Sequence, residues 1–368
     1  MLNTKYLALL TFATLLGAAS QAVAALSHYD HIILIIAENK GFSEIIGKQA
    51  DAPNLNALAS KYGLATNFYG EVHPSEANYV AMLGGDTFGI HDDDAWYCQP
   101  QQRASFCDNA SKPGYSTHMI SARSLMDQLQ EAKLTWKGYF EDIPAPGSTV
   151  IYDPSPERKD PKRPQFLYAS KHNGFLNFDR VRQDPHIADK IVPLTQLNAD
   201  LAAGALPNYA HIVLNQCNEM HGLSGENVPD DCVLDRAKPE TLHSVIRRGD
   251  KAIGAVVDRI VTSSIWATSR NVAVVVTWDE DDGDTIGTQG CCGFDPSSPA
   301  NFGGGHIATI VITNHGPRGV TDSTPYNHYS LLRSCEEAFG ITEYLGFAAA
   351  DDKGVKPMSP LFDISSAK

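Results

Sequence analysis

HIILIIAEN, residues 31–39, is apolar from Ile32 to Ala37 and then breaks off in a carboxylate and an amide. So short and uniform an apolar run reads as a strand buried on both faces, the kind found in a parallel sheet covered by helices. NVAVVVTW (271–278) repeats the pattern and runs into Asp279-Glu280-Asp281-Asp282. AHIVL (210–214), HIATIVIT (306–313) and a stretch near Thr135–Phe140 supply further strands.

Helical patterns fall between these runs. Pro53 opens a helix to about Tyr62, with Leu55, Leu58 and Ala59 at helical spacing. Pro74-Ser75 precedes a helix from Glu76 to Leu83, which Gly84-Gly85 ends. Ser121 or Ser124 starts another, running to Lys133. Between Pro239 and Ile260, the residues Leu242, Val245, Ile246, Ile253, Val256, Val257 and Ile260 share one face. A last helix covers His328–Phe339. Strands alternating with helices predict an α/β fold: a mostly parallel central sheet sandwiched by helices.

Lys5, the apolar run Leu7–Ala19 and the small residues Ala22-Val23-Ala24 read as an export signal over 1–24. One domain is then expected over 25–345, with an irregular insertion at 142–193 and a peripheral tail at 346–368. The protein is read as secreted or periplasmic, a setting that permits disulfides. Cys98–Cys107 and Cys217–Cys232 are the natural local pairs, and Cys291 or Cys292 is expected to reach Cys335. The net charge of −14 argues against nucleic acid as a partner. Transient contact with a membrane surface remains compatible with it, and no obligate protein partner is indicated.

Ligands of open α/β sheets gather beyond the carboxyl ends of the strands. The residues found there are Glu38-Asn39, Asn215 to His221, and Asp279 to Asp282; His306 follows a glycine run and opens another strand. Carboxylate, amide and imidazole groups together suit one or two divalent cations. Ser75 precedes a helix, where a serine is ordinarily an N-cap. The same place presents free N–H groups to a phosphate, and a nearby cation would acidify the hydroxyl.

HIILIIAENKGF (31–42), HPSEANYVAMLGG (73–85), NQCNEMHG (215–222), VVVTWDEDDG (274–283), GGHIATIVIT (304–313) and YNHYSLLRSCEEAFGI (326–341) together resemble the bacterial phosphoesterase family. That family contains zinc-dependent phospholipases C and related acid phosphatases on an alkaline-phosphatase-like fold. The resemblance implies Ser75 as nucleophile, and Glu38, Ser75, Asp279, Glu280 and His306 as ligands of a divalent metal, with zinc the leading identity. It places Asn39 at the metal or the phosphoryl oxygens, His221 at a second metal or the leaving group, and His328 more weakly in the site. Asp281-Asp282 stand where many relatives have His or Gly.

The expected substrate is a phospholipid or another phosphate ester. The first reading is a phospholipase C that forms a phosphoserine and releases diacylglycerol and a phosphorylated headgroup. The second is a broad acid phosphatase acting on monoesters. A binding protein without catalysis is the third, and needs no nucleophile. The aromatic residues Tyr152, Phe166, Tyr168, Phe175 and Phe178 of the insertion are candidate lipid contacts. C-x-P-x-R, the pattern associated with sulfatases, is absent.

Overall fold

The computed structural model describes residues 28–157, 160–282, 289–293 and 303–362. The export signal read over 1–24 lies outside the described residues. No helix among the described residues is long and apolar enough to cross a membrane.

The described residues form eleven strands: β1 (His31–Ala37), β2 (Gly63–Tyr69), β3 (Trp136–Phe140), β4 (Tyr152–Asp153), β5 (Tyr168–Ala169), β6 (Ile191–Pro193), β7 (Tyr209–Val213), β8 (Val272–Trp278), β9 (His306–Thr313), β10 (Val320–Asp322) and β11 (Tyr326–Asn327). Nine of them build one sheet, ordered β10-β2-β9-β8-β1-β7-β3-β6 with β11 beside β2; β4 and β5 form a separate ribbon. β1 pairs in parallel with β7 and β8. β9 alone runs the other way, antiparallel to both β2 and β8.

The three central strands are buried along nearly their whole length. Both faces of the sheet are therefore covered, as their apolar composition requires. The long Pro239–Val261 helix packs on Pro53–Lys61, and His328–Ala338 packs on Glu76–Gly84. Gly85 takes φ +74° and ends the Glu76–Gly84 helix; a side chain there would drive into the Leu345 backbone.

Three sequence expectations change. The 142–193 stretch is more than a cover: it supplies β6, and it buries Phe175, Phe178 and Val181 in the core. The tail after residue 345 also packs inward, with Met358, Leu361 and Phe362 fully buried and Tyr29 donating to the Phe362 carbonyl. Cys98–Cys107 and Cys217–Cys232 form as expected, but Cys291 and Cys292 bond to each other. Cys335 stays a free thiol inside the core.

Candidate active site

Because the strands flanking the centre are parallel, β1, β7 and β8 deliver their carboxyl ends to one edge of the sheet. Glu38-Asn39, Asn215–His221 and Asp279–Asp281 collect there. Antiparallel β9 brings its first residue to the same edge, with His306 opposite Tyr69.

Ser75 enters this edge from the turn before the Glu76–Gly84 helix. Its hydroxyl lies 3.0 Å from Glu38 Oε2, 3.1 Å from Glu280 Oε1 and 3.4 Å from Asn39 Oδ1. It makes no capping bond to its own helix. Asn78 instead holds the preceding loop, accepting from the Glu71 and Val72 amides and donating to the Val72 carbonyl. The helix amide of Glu76 donates to Asp93, so the first N–H of that helix is already engaged. That amide is not open to a phosphoryl oxygen as the sequence reading supposed.

Asn39 leaves β1 with φ +50°, a left-handed turn that asparagine tolerates well. The turn lets its amide donate to Asp279 Oδ1 at 3.1 Å. Gly70 and Gly304 meet backbone to backbone behind Asp279; a Cβ on Gly70 would sit 2.7 Å from the Asp279 carbonyl. His328 is buried and accepts its place through one bond, Nε2 to the Trp278 carbonyl at 3.0 Å. It braces the strand end rather than facing Ser75.

Glu38, Glu219 and Asp279 are wholly buried, and Glu280 is 3 % exposed. Burial raises the Glu38 carboxyl well above the usual range, and Asp279 and Glu219 add repulsion. Burial and then Asp279 do the same to Glu219. Burial lifts Asp279 to about 6 and Glu280 to about 8. Among the described residues, Oδ2 of Asp279 has no hydrogen-bond partner. Buried anions gathered in this way need protons or a cation to compensate them. Glu38, Asn39, Ser75, Asp279 and Glu280 thus offer hard oxygen donors, and the donor set fits a divalent ion.

A second group adjoins the first. Glu38, His172 and His221 present ligand atoms all within 4.8 Å of one another. His172 spans Glu38 and Glu219, with Nε2 3.3 Å from the former and Nδ1 2.8 Å from the latter. Burial, with Lys171 and His221 nearby, holds the His172 ring in its neutral form, which is the form that ligates. Tyr79 stacks on the same ring and donates to Glu38 Oε1 at 2.5 Å.

Two sequence-read histidines take different places. His221 Nδ1 lies 2.8 Å from the Gly222 carbonyl. A carbonyl cannot donate, so Nδ1 carries the proton and Nε2 keeps its lone pair. Burial pushes the ring down to about 3. This arrangement suits a ligand, and neither a base nor the proton donor to a leaving alcohol. His306 stacks on Phe42 and turns Nε2 to the Thr66 carbonyl at 3.0 Å. It shares the edge but not the Ser75 cluster.

His172, Glu219, Tyr79, His73 and Lys171 were not singled out from sequence. His73 contacts Glu280 and, through Nε2 at 3.3 Å, Asp281. Burial opposes its proton, yet the hydrogen bonds to Asp281 and Glu280 win and raise the ring to about 10. Lys171 pairs with Asp93 at 3.0 Å. Asp93 therefore ties Lys171 to the amide that follows the Ser75 turn.

Beside Asn39 and His221 a cleft of about 600 Å³ opens to solvent. Tyr152 and Phe166 line it. Tyr168, Phe175 and Phe178, read with them as lipid contacts, are core residues instead.

The phosphatidylinositol-3-phosphatase of Mycobacterium tuberculosis is 26% identical over 332 residues, covering 89% of this chain and 84% of that protein. An acid phosphatase of Aspergillus fumigatus is 25% identical over 300 residues, 78% of this chain but only 51% of its own length. This chain spans about half of that fungal relative. The lipoteichoic acid synthase of Listeria monocytogenes shares the fold, with a TM-score of 0.50 at 12% identity over 91% of this chain and 76% of that one. The model of the phosphoesterase family matches residues 48–342, so the chain belongs to the phosphoesterase family.

Proposed function

We propose that the protein is a metal-dependent hydrolase of phosphate esters with Ser75 as its nucleophile. One observation carries this reading: a buried serine hydroxyl within 3.4 Å of two carboxylates and an amide oxygen, without a capping role of its own. Glu38, Asn39, Ser75, Asp279 and Glu280 would hold one divalent cation, for which zinc is our first choice. Glu38, His172 and His221 would hold a second. Bound there, a divalent cation supplies Lewis acidity that favours the serine alkoxide and offsets phosphoryl charge.

The chain's own residues do the rest. Glu38 and Glu280 accept from the Ser75 hydroxyl and aim it. Asp279 fixes Asn39 through its backbone, so the Asn39 side chain stays on the Ser75 oxygen. Lys171, steadied by Asp93, brings a positive charge to the cleft wall beside Asn39. The cleft beside the cluster would admit the organic part of the ester.

Within this chemistry, hydrolysis of phosphomonoesters is favoured by the names of the relatives, which are phosphatases. The phospholipase C reading has a separate support: Tyr152 and Phe166 give the cleft an aromatic wall that could meet a lipid glycerol. Export is part of the proposal, supported by the disulfides Cys98–Cys107 and Cys217–Cys232. The experiment is a substrate panel on metal-loaded protein: phosphatidylcholine, phosphatidylglycerol and p-nitrophenyl phosphate. Diacylglycerol among the products selects the phospholipase reading, and inorganic phosphate selects the phosphatase. Turnover by Ser75→Ala at the wild-type rate would defeat both.

A further inference from the structure

The cleft beside Asn39 differs from the rest of this acidic chain. Lys40, Lys171, Arg236 and Lys238 line it, against Asp235 and Asp282. The chain as a whole carries a net −14. Four cations against two carboxylates leave this lining net positive, and an excess of one sign of charge in a cleft concentrates ligands of the other sign. Part of the remaining wall is apolar, from Phe166, Leu234 and Leu242, beside the polar Asn39, Gln216 and Ser224.

The cations are set at different depths. Lys40 is 1 % exposed and donates to the Asn39 carbonyl at 2.7 Å. Lys171 stands over Asp93. Lys238 lies at the mouth, its side chain 63 % exposed and 3.1 Å from Asp235. An ammonium has three donors, so a single ion pair leaves donors on Lys171 and Lys238 for a ligand. Arg236 reaches the Asp282 carbonyl from the same rim. The Cys217–Cys232 disulfide and the Leu223 to Leu234 backbone bond hold this rim on the body of the protein.

We infer that this cleft is a subsite for the organic portion of the ester, and that it selects portions bearing a second anionic group next to an apolar surface. The inference rests on the Ser75 reading above. A carboxylate or a distal phosphate meets the ammonium and guanidinium donors while the adjoining carbon skeleton lies on Phe166 and Leu242. A quaternary ammonium headgroup is disfavoured, because it seeks aromatic faces free of competing cations. The scissile phosphorus stays at Ser75, and no residue of the subsite takes part in bond making.

The test uses two esters of one shape, 3-carboxyphenyl phosphate and 3-carbamoylphenyl phosphate, on the wild-type protein with added zinc. The carbamoyl phenol is the better leaving group, so a preference for the carboxylate has to come from binding. The expected ratio of kcat/KM is about tenfold in favour of the carboxylate, carried by KM and shrinking in roughly 0.5 M salt. In Arg236→Gln and in Lys238→Gln, both altered at the solvent-facing rim, the ratio falls toward one. Turnover of both esters without preference, or a preference unchanged in both variants, overturns the subsite and leaves the Ser75 reading standing. No turnover of either ester overturns the subsite, and no turnover of the two phospholipids as well overturns the Ser75 reading with it.

Discussion

Ser75 and Glu280 are 205 residues apart in sequence, yet the serine hydroxyl lies 3.1 Å from a Glu280 carboxylate oxygen. Glu38 reaches the same hydroxyl from a third segment, at 3.0 Å. The proposed nucleophile is thus marked out by what surrounds it and not by the turn that carries it. Ser75→Ala should lower kcat by about 10³-fold or more with the circular dichroism spectrum unchanged. The substitution removes one oxygen and no backbone bond. Retention of rapid turnover with p-nitrophenyl phosphate would contradict the assignment.

The buried carboxylates predict metal dependence. Chelation should abolish activity, and zinc should restore it. Asp279→Asn keeps the shape of the side chain and removes its charge. It should weaken binding at the Ser75 group by at least about 10- to 100-fold, read as zinc retained after dialysis. A variant that keeps its full complement of metal would show that Asp279 is no ligand.

His172 separates the two cation groups. It contacts Glu38 and Glu219 but not Ser75. His172→Gln should reduce the zinc content of the purified protein by about one equivalent and lower kcat more than it raises KM. Unchanged zinc content would assign the ring a purely structural place between the two carboxylates.

Glu71 gives a stability signal away from the proposed cation sites. It is partly buried, and desolvation lifts its carboxyl from 4.5 to about 8, though the Tyr329 and His328 amides and Asn327 pull the other way. The folded protein therefore binds this proton more tightly than the unfolded chain does. The contribution to stability is fully present below about pH 4.5 and is lost as pH rises through about 8. Glu71→Gln keeps an acceptor for the His328 amide at 3.0 Å and cannot ionise. Urea denaturation across that window should show a shallower loss of stability than in the wild type. Parallel curves would assign the slope to other groups.

The rim of the cleft depends on Cys217–Cys232, which spans 15 residues. Replacing both cysteines by serine should cost about 3 kcal/mol through the freed loop in the unfolded state, read as a lowered Tm. An unaltered Tm would mean the backbone bonds between Leu223 and Leu234 suffice to hold the rim.

The strands with dense apolar runs were legible because burial on both faces leaves few polar positions in β1, β7 and β8, His31 opening the first, His211 lying in the second and Thr277 in the third. β2 escaped notice: Thr66 and Asn67 interrupt GLATNFY, and its backbone pairing with β9, not its composition, makes it a strand. Glu38, Asn39, Asp279 and Glu280 were visible for the same reason as the strands, since a polar group directly after a buried strand sits at the ligand-binding edge. His172 and Lys171 follow no such strand, and nothing in their local sequence sets them apart.

The sequence by itself determined the α/β class, the strand ends that gather the carboxylates, and the serine turn before a helix. These follow from local composition and periodicity, which act over a few residues. Only the tertiary structure decided which imidazoles join the carboxylates: His172 and His221 do, while His306 spends its proton on Thr66. A side chain's partner depends on rotation about its own bonds within a packed surrounding built from distant segments, and that surrounding exists only once the sheet has closed its order.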